Sequence, residues 1–559
     1  MLTKYLTILF IISPLFIFGQ EGQKTLVFSN GIEVIQTLEA DSSKAQDHIQ
    51  DFHFDVIRQG YLTAFLKSST EKNDTLTVVF ELGKEYRFAR LNKGNVDEGI
   101  LSRINFREKV YRDKTFKSDE VSKLMNKAII WCENNGYPFA SIQLDSIEIK
   151  EESIRASLNL EKGDFVEIDS LIIKGESETS ETFLRNYLGL KKGAAYDEKV
   201  IKKIDTRLRE LPFIRLREGS KVLFTPGKAD IYLFIDDQNS SNINGIAGLL
   251  PNEQTGEVEF TLDAKVRLRN ALKRGELIDL NWRRLPSQSQ DIFLQFMYPY
   301  LFKTPFGLDT DFSLFRRDSS FVEVNMALGI QYLFVGENYI KAFVRNYQSN
   351  LILPDLGEDV NSADVSLTSF GLEANYERLD YRFNPRRGVA IRARGAAGGK
   401  EVRNDVTESA EVSPQFIVDH NIRLFIPLFN RSAIMIRSMG SMIINDDIQF
   451  NELYRIGGIH SIRGFDEATL TASFFNIFTA EYRFILDQNS NFFVFYDWAY
   501  YENSARTDFL KDTPMGFGAG ISFETGPGIF SVNYALGRQF DNPIDFRGAK
   551  LHFGFVNMF

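Results

Sequence analysis

Histidine and cysteine, the residues that most often carry catalytic or metal chemistry, are rare in this chain. The five histidines are His48, His53, His420, His460 and His552. No HExxH, CxxC, GxSxG or phosphate-loop sequence accompanies them. The lone Cys132 cannot form a disulfide within the chain, and we expect it to be a small buried residue on a helix. These observations predict neither an enzyme nor a bound cofactor or metal.

The residue that most needs a chemical explanation is Arg463, in the segment 453–466 (LYRIGGIHSIRGFD). An exposed loop tip would gain nothing from the isoleucines and the phenylalanine around this arginine. A loop folded into a barrel interior could bury the arginine against acidic wall residues. A guanidinium can bridge two carboxylates with its planar fork, which a lysine cannot do equivalently. The pattern predicts an inward-folded loop over 444–472 whose tip is held by an ion pair.

Strands must supply the wall around this loop, and the C-terminal part of the chain has the alternation that predicts them. In 516–524, phenylalanine, alanine and isoleucine alternate with glycine, serine and glutamate. A small or polar inner face beside an apolar outer face is expected of a transmembrane barrel. We count sixteen strands in 243–559, and the long connections follow the odd-numbered strands. Long loops on one side and short turns on the other are typical of outer-membrane barrels.

Two of these predicted strands carry an acidic residue near the middle of the strand. In the twelfth strand, 478–486, Glu481 lies on the face opposite the aromatic residues. Successive side chains of a strand point to opposite faces, so Glu481 can face the lumen. In the thirteenth, 491–500, Asp497 follows an aromatic run.

The N-terminal segment and the charge of the chain limit where it can act. Met1–Gly19 has Lys4 before an apolar run and predicts a secretory signal, with a membrane anchor interrupted by Pro14 as the alternative. Beyond residue 20, no unbroken apolar stretch reaches the roughly 18 residues of a helical span. The net charge of −10 argues against nucleic-acid binding.

Residues 24–240 contain a pattern of one strand, helical segments and two further strands that occurs three times. We place the modules at 24–85, 86–165 and 166–240. These modules resemble POTRA domains, and the second and third carry the resemblance best. A small sheet with an unpaired edge could accept an extended client strand through main-chain hydrogen bonds. The alternative is that the modules are spacers.

The sequence SIRGF at 461–465 resembles the (V/I)RG(F/Y) signature of the outer-membrane assembly-factor superfamily, which includes the BamA and TamA insertases and the two-partner secretion transporters. The resemblance implies α+β POTRA-like modules followed by a sixteen-stranded antiparallel transmembrane β-barrel. It also implies a lumenal latch and a lateral seam between the first and last barrel strands. The latch residues would be Arg463, Gly464, Phe465, Glu481 and Asp497. Asp497 resembles the family's lumenal acidic residue, and the hypothesis is that Arg463 pairs with both Glu481 and Asp497. The seam residues would be Gly245, Gly248, Phe553, Phe555 and Phe559.

The same resemblance implies a function without catalysis, in the outer membrane of a Gram-negative-type bacterium with the modules in the periplasm. The expected activity is the insertion of outer-membrane proteins, with client strands captured at module edges and at the seam. The expected partners are unfolded outer-membrane or exported client proteins and outer-membrane lipid, and a periplasmic partner protein could join them. The alternative is a two-partner-type secretion pore for an extended exoprotein. Three modules and no evident plug helix favour the insertase.

Overall fold

The computed structural model describes residues 23–557 except for 252–257, 285–288, 318–319, 353–361, 405–406, 507, 526–527, 541, 543 and 545. The predicted signal peptide and Phe559 therefore lie outside the described residues. The chain divides into two units. The first runs to Val166 and includes Ala195–Glu198, and the second comprises Glu167–Ala194 and Lys199–Phe559.

The first module consists of two β-hairpins joined by one α-helix. Its elements are β1 Gln23–Ser29, β2 Val34–Asp41, a 3₁₀-helix Ser42–Lys44, α1 Ala45–Arg58, β3 Phe65–Lys72 and β4 Thr75–Glu81. The sheet order is β2-β1-β4-β3, with β1 parallel to β4. The sequence pattern predicted helices directly after the first strand, and β2 corrects this. The Asn30-Gly31 dipeptide, a strong hairpin signal, turns the chain back onto β1.

The second module packs its longest helix on a four-stranded sheet. Its elements are β5 Arg87–Asn92, α2 Glu98–Arg103, a 3₁₀-helix Glu108–Tyr111, β6 Lys114–Thr115, α3 Ser118–Glu133, β7 Ser141–Lys150 and β8 Ser153–Glu161. The sheet order is β6-β5-β8-β7. Val121, Leu124, Ala128 and Cys132 recur at helical spacing and form the buried face of α3. Cys132 is a buried free cysteine, as predicted.

The third module has the order strand, helices, strand, strand. Its elements are β9 Glu167–Lys174, α4 Glu181–Leu188, α5 Glu198–Ile201, α6 Ile204–Arg209, β10 Ile214–Thr225 and β11 Lys228–Asp237. The sheet order is β10-β11-β9, with β11 parallel to β9. Gly189 ends α4 in the left-handed conformation that a side chain would disfavour. The buried residues of α4, α6 and the sheet form one core, which Tyr300 of the barrel joins.

Among the described residues from 242 onward, seventeen strands form one antiparallel sheet. These strands are β12 Asn242–Pro251, β13 Val258–Arg269, β14 Leu277–Arg284, β15 Gln290–Tyr298, β16 Phe306–Arg317, β17 Phe321–Leu333, β18 Tyr339–Leu351, β19 Asp364–Leu379, β20 Gly388–Asn404, β21 Thr407–Phe429, β22 Ser432–Ile444, β25 Phe474–Ile485, β26 Asn491–Asn503, β27 Leu510–Asp512, β28 Met515–Thr525, β29 Gly528–Arg538 and β30 Lys550–Asn557. A separate ribbon lies in the connection after β22 and pairs β23 Tyr454–Ile456 with β24 Leu470–Ala472. Short 3₁₀-helices occur at Leu301–Lys303, Phe450–Glu452 and Phe546–Gly548.

The sheet has one strand more than the sixteen predicted. The additional strand is β27, which has three residues and pairs with the C-terminal end of β26. The rest of β26 pairs directly with β28. A three-residue strand is too short to show an alternation in the sequence, and for this reason the pattern missed it.

The two faces of the sheet differ as expected for a barrel. In β26, Phe492, Val494, Tyr496 and Trp498 are exposed, whereas the residues between them are buried. The exposed face is apolar and aromatic, which is the composition of a lipid-facing surface. Within the described ranges, no helix is both long enough and apolar enough to cross a membrane. The predicted fold class, α+β modules followed by an antiparallel β-barrel, is confirmed.

Candidate functional site in the barrel lumen

The connection between β22 and β25 is a hairpin with a buried tip. Residues 445–453 and the β23–β24 ribbon form its stem, and residues 457–469 form its tip. Ile456 and Ile462 are buried in one apolar cluster with Phe475 and Ile477 of β25. At the start of the tip, the Ser461 hydroxyl donates to the carbonyl of Gly457. The isoleucines thus anchor the loop against the inner face of the sheet.

Arg463, at the tip, binds two carboxylates on neighbouring strands. Its Nε donates to Asp497 Oδ2 at 2.8 Å and its Nη2 to Asp497 Oδ1 at 2.7 Å. Its Nη1 donates to Glu481 Oε2 at 2.7 Å. The backbone N–H of Arg463 adds a bond to Asp497 Oδ2 at 3.1 Å. The structure therefore brings together the three charged residues that the sequence singled out.

The ion-pair cluster is buried, and each of its charged groups has a partner of opposite sign. Arg463 is 7% exposed, Glu481 5% and Asp497 0%. Arg483 also donates to Glu481, at 2.7 Å, so two guanidinium groups face two carboxylates. The Thr479 hydroxyl donates to Asp497 Oδ1 at 2.7 Å. Buried charges are stable only when they are paired and hydrogen-bonded, and every member of this cluster meets that condition.

An aromatic ring supports the guanidinium from one side. The Cζ of Arg463 lies 3.5 Å from the centroid of the Phe495 ring, and Phe495 is buried. Cation–π stacking on a ring suits the flat guanidinium group and is stronger where water is excluded. Phe495 shares the inner face of β26 with Asp497, two residues further on.

Glycines allow the tip to lie directly on the wall. Gly464 has a φ of +92°. A Cβ at Gly516 of β28 would lie 1.9 Å from the carbonyl oxygen of Arg463, and a Cβ at Gly537 of β29 would lie 2.4 Å from that of Gly464. A side chain at either wall position would push the tip away. Phe465 is partly buried and packs with the apolar cluster at the base of the tip.

Comparison with known protein families identifies the family that has this architecture. A family model for the Omp85 superfamily domain matches residues 270–559, which is more than half of the chain. The chain belongs to the Omp85 superfamily. Omp85 proteins are β-barrel proteins of the bacterial outer membrane with POTRA modules, and they act in protein insertion or transport. No curated protein sequence matches this chain.

Several solved structures are similar to this chain. CdiB from Escherichia coli is 13% identical, covers 91% of this chain and 96% of its own, and superimposes with a TM-score of 0.51. BamA from Haemophilus ducreyi lacking POTRA domains 1–3 is 16% identical, covers 84% and 98%, and gives a TM-score of 0.42. CdiB from Acinetobacter baumannii is 13% identical, covers 92% and 97%, and gives 0.49. At this level of identity, the likeness concerns the fold alone.

The stem of the loop has a second attachment in this Omp85 barrel that sequence reasoning missed. Lys400 of β20 is fully buried and pairs with Glu452, and it also donates to the carbonyl of Asp447. Asn451 donates to Ser349 of β18 at 2.7 Å. Alternation along β20 places Lys400 on the inner face with the buried Ala390 and Val402, and that pattern could have identified it as a lumenal charge. The loop thus contacts β18 and β20 through its stem, and β25 and β26 through its tip.

The two ends of the barrel sheet are unpaired in the described backbone. There β12 pairs only with β13, and β30 pairs only with β29. Gly245 and Gly248 lie in β12 opposite Ala264 and Thr261. Phe553 of β30 is 62% exposed, on the outer face. Phe555 pairs with Phe530 through its backbone.

At the end of the lumen nearest module 3, this module and the Omp85 barrel together line a cavity of about 580 Å³. Module 3 and the barrel meet there through Glu210, whose Oε1 accepts a bond from the backbone N–H of Arg382 at 3.0 Å. Arg382 also pairs with Glu337 at 3.0 Å and with Glu377 at 3.4 Å. Burial raises the pKa of Glu210 to about 7, against the opposing effect of Arg382. Within the described part of the chain, no cluster of histidine, cysteine and acidic residues could hold a metal.

Proposed function

We propose that this Omp85 protein inserts client proteins into the outer membrane of a Gram-negative-type bacterium, by a mechanism without catalysis. In this proposal, the modules lie in the periplasm and receive extended client segments at their sheet edges. The client strand then pairs with the barrel at the seam between β12 and β30. Unfolded outer-membrane proteins are the expected clients, and they are inserted into the lipid of the outer membrane.

The observation that carries the proposal is the pair of edges that have no partner strand in the described backbone, at the two ends of the barrel sheet. Each unpaired strand presents a row of main-chain donors and acceptors, which is a template for another strand. In lipid, every backbone polar group must find a partner within protein. A client strand that pairs with a barrel edge has hydrogen-bond partners for its backbone while it enters the bilayer. This lowers the free-energy cost of insertion.

The edges of the modules could supply the earlier contact. In the second module, β7 is an outermost strand, and its Ile147 and Ile149 are 55% and 56% exposed. An extended peptide added beside β7 would gain main-chain hydrogen bonds independent of its sequence, and contacts with these isoleucines. This suits a protein that handles many different clients.

The latch supports insertion through the seam. With Arg463 held by Glu481 and Asp497, the loop occupies the lumen and covers the inner faces of β25 and β26. A client that passes between the free edges does not need this space. The latch then serves to keep the part of the wall formed by β25 and β26 rigid.

The alternative is a secretion pore for an extended exoprotein, and one observation favours it. The cavity at the module 3 end of the lumen is lined by charged and apolar side chains, and an exported chain could enter there. Export through the lumen would then require the Arg463 ion pairs to open and the loop to move.

Depletion of the protein separates the two functions. The outer-membrane and secreted proteomes are quantified after depletion, and again after complementation with the wild-type gene. Insertion predicts a broad loss of barrel proteins that complementation restores. Loss of one secreted protein, with the barrel proteins unchanged, would overturn insertion in favour of export.

A further inference from the structure

The loop tip contacts the last strand of the barrel as well as the two strands that carry the acids. The backbone N–H of Gly464, the residue after the latch arginine, donates to Nε2 of His552 at 3.1 Å. Lys550 pairs with Asp466 of the tip at 2.8 Å. A Cβ at Gly554 would lie 2.9 Å from Cδ1 of Ile459.

These three β30 residues lie on one face of the strand. Positions 550, 552 and 554 alternate with Leu551 and Phe553, which are exposed on the outer face. The whole described inner face of β30 is therefore turned to the loop tip. The other neighbour of β30 in the described backbone is β29, on one side only.

The loop tip contacts five strands of the barrel sheet. Its arginine binds β25 and β26, its backbone lies on the glycines of β28 and β29, and its flank reaches β30. A strand at the end of a sheet has lost half of its possible ladder hydrogen bonds. Contacts on its face are then a large part of what keeps it in register.

We propose that His552 is a positioning residue through which the loop tip holds β30 in the barrel sheet, so that release of the latch frees the seam edge. The inference rests on the lateral seam of the proposed function, and it names what controls that seam. The geometry requires an unprotonated Nε2, with the ring proton on Nδ1. The charged groups that face the imidazole are Arg463, Asp466 and Glu467 of the loop and Lys550 of its own strand.

Hydrogen–deuterium exchange on the full chain in lipid nanodiscs tests the proposal. His552→Leu removes the acceptor at similar volume, whereas His552→Gln can restore an acceptor through its amide oxygen. His420→Leu is the matched control, because His420 lies on β21 and bonds Ser438 rather than the loop. We expect amides of Lys550–Asn557 to exchange about tenfold faster in His552→Leu, since one lost bond of about 1.4 kcal/mol corresponds to that factor.

The pattern across variants decides the outcome. Faster exchange confined to β30 in His552→Leu, with rates near wild type in His552→Gln and His420→Leu, supports the proposal. Unchanged exchange in β30, or equal acceleration in β25 and β26, overturns it. Should His552→Leu fail to assemble, Asp466→Asn removes the Lys550 pair at an exposed position, and the same criteria apply.

The exchange experiment is independent of client insertion. If β30 is released in His552→Leu while depletion of the protein leaves the barrel proteome intact, the positioning role stands and the proposed insertion function fails. If depletion removes barrel proteins and β30 exchange does not respond, insertion stands and the role of His552 is overturned.

Discussion

Arg463 and Asp497 meet at two points inside the barrel, with Nε bound to Oδ2 at 2.8 Å and Nη2 bound to Oδ1 at 2.7 Å. The remaining terminal nitrogen is bound to Glu481. Because these groups are buried, neither carboxylate has water as an alternative partner. The loop tip is thus fixed in position and in orientation by one side chain.

Replacement of Arg463 by lysine should weaken the latch although the charge is retained. An ammonium cannot make the two-point contact with Asp497 and reach Glu481 in the same geometry. We expect Arg463→Lys to lose about 1.5–3 kcal/mol of unfolding free energy, and Arg463→Ala about 3–5 kcal/mol. Urea unfolding of the barrel in lipid measures both. Arg403→Lys, an exposed position on β20, is the control, and an equal loss there would contradict the assignment.

A methyl group under the loop tip should displace it. Gly516→Ala places a Cβ against the carbonyl of Arg463, and backbone cannot move aside as a flexible side chain can. We expect a loss of about 1–3 kcal/mol of unfolding free energy, the usual cost of overpacking. Gly395→Ala, on β20, meets no atom within 4 Å and should be near neutral. If both variants unfold at the same urea concentration, the tip does not rest on Gly516.

The junction of module 3 with the barrel should weaken as the pH rises from about 4.5 to about 7. Burial raises the pKa of Glu210 from 4.5 to about 7, so the folded state binds the proton more tightly than the unfolded state. Stability from this group is therefore fully present below pH 4.5 and is lost as the pH passes 7. Glu210→Gln keeps an acceptor for the Arg382 N–H and should remove the difference. Unfolding free energies of both proteins across this range check it, and parallel pH profiles would contradict it.

Alternation along the strands was enough to predict one of the two latch partners. A strand has a period of two, so the aromatic outer face of 478–486 assigned Glu481 to the interior without knowledge of the register, and the resemblance to the family supplied Asp497. The first helix of module 3 was likewise predicted at Glu181–Leu188, where α4 lies. Each of these inferences uses only residues that are close in the chain.

The missed contacts join residues far apart in the chain. Lys400 and Glu452 are on different elements, and His552 meets Gly464 only because the tip crosses β28 and β29. Such pairs depend on strand register and loop path, which alternation does not determine. β2 was missed for a different reason, because its Asn-Gly turn was not weighed against the helical pattern expected after β1.

Site-specific photo-crosslinking tests most directly the claim that clients enter at the seam. A photoreactive phenylalanine analogue replaces Phe553, which is 62% exposed on β30, or Phe370, which is 68% exposed on β19. Both positions face outward from the sheet, but only the first lies on a strand at the end of the sheet as the described residues form it. The account predicts that newly made outer-membrane proteins are trapped at position 553 in cells and not at position 370. Equal trapping at both positions, or none at 553, would contradict it.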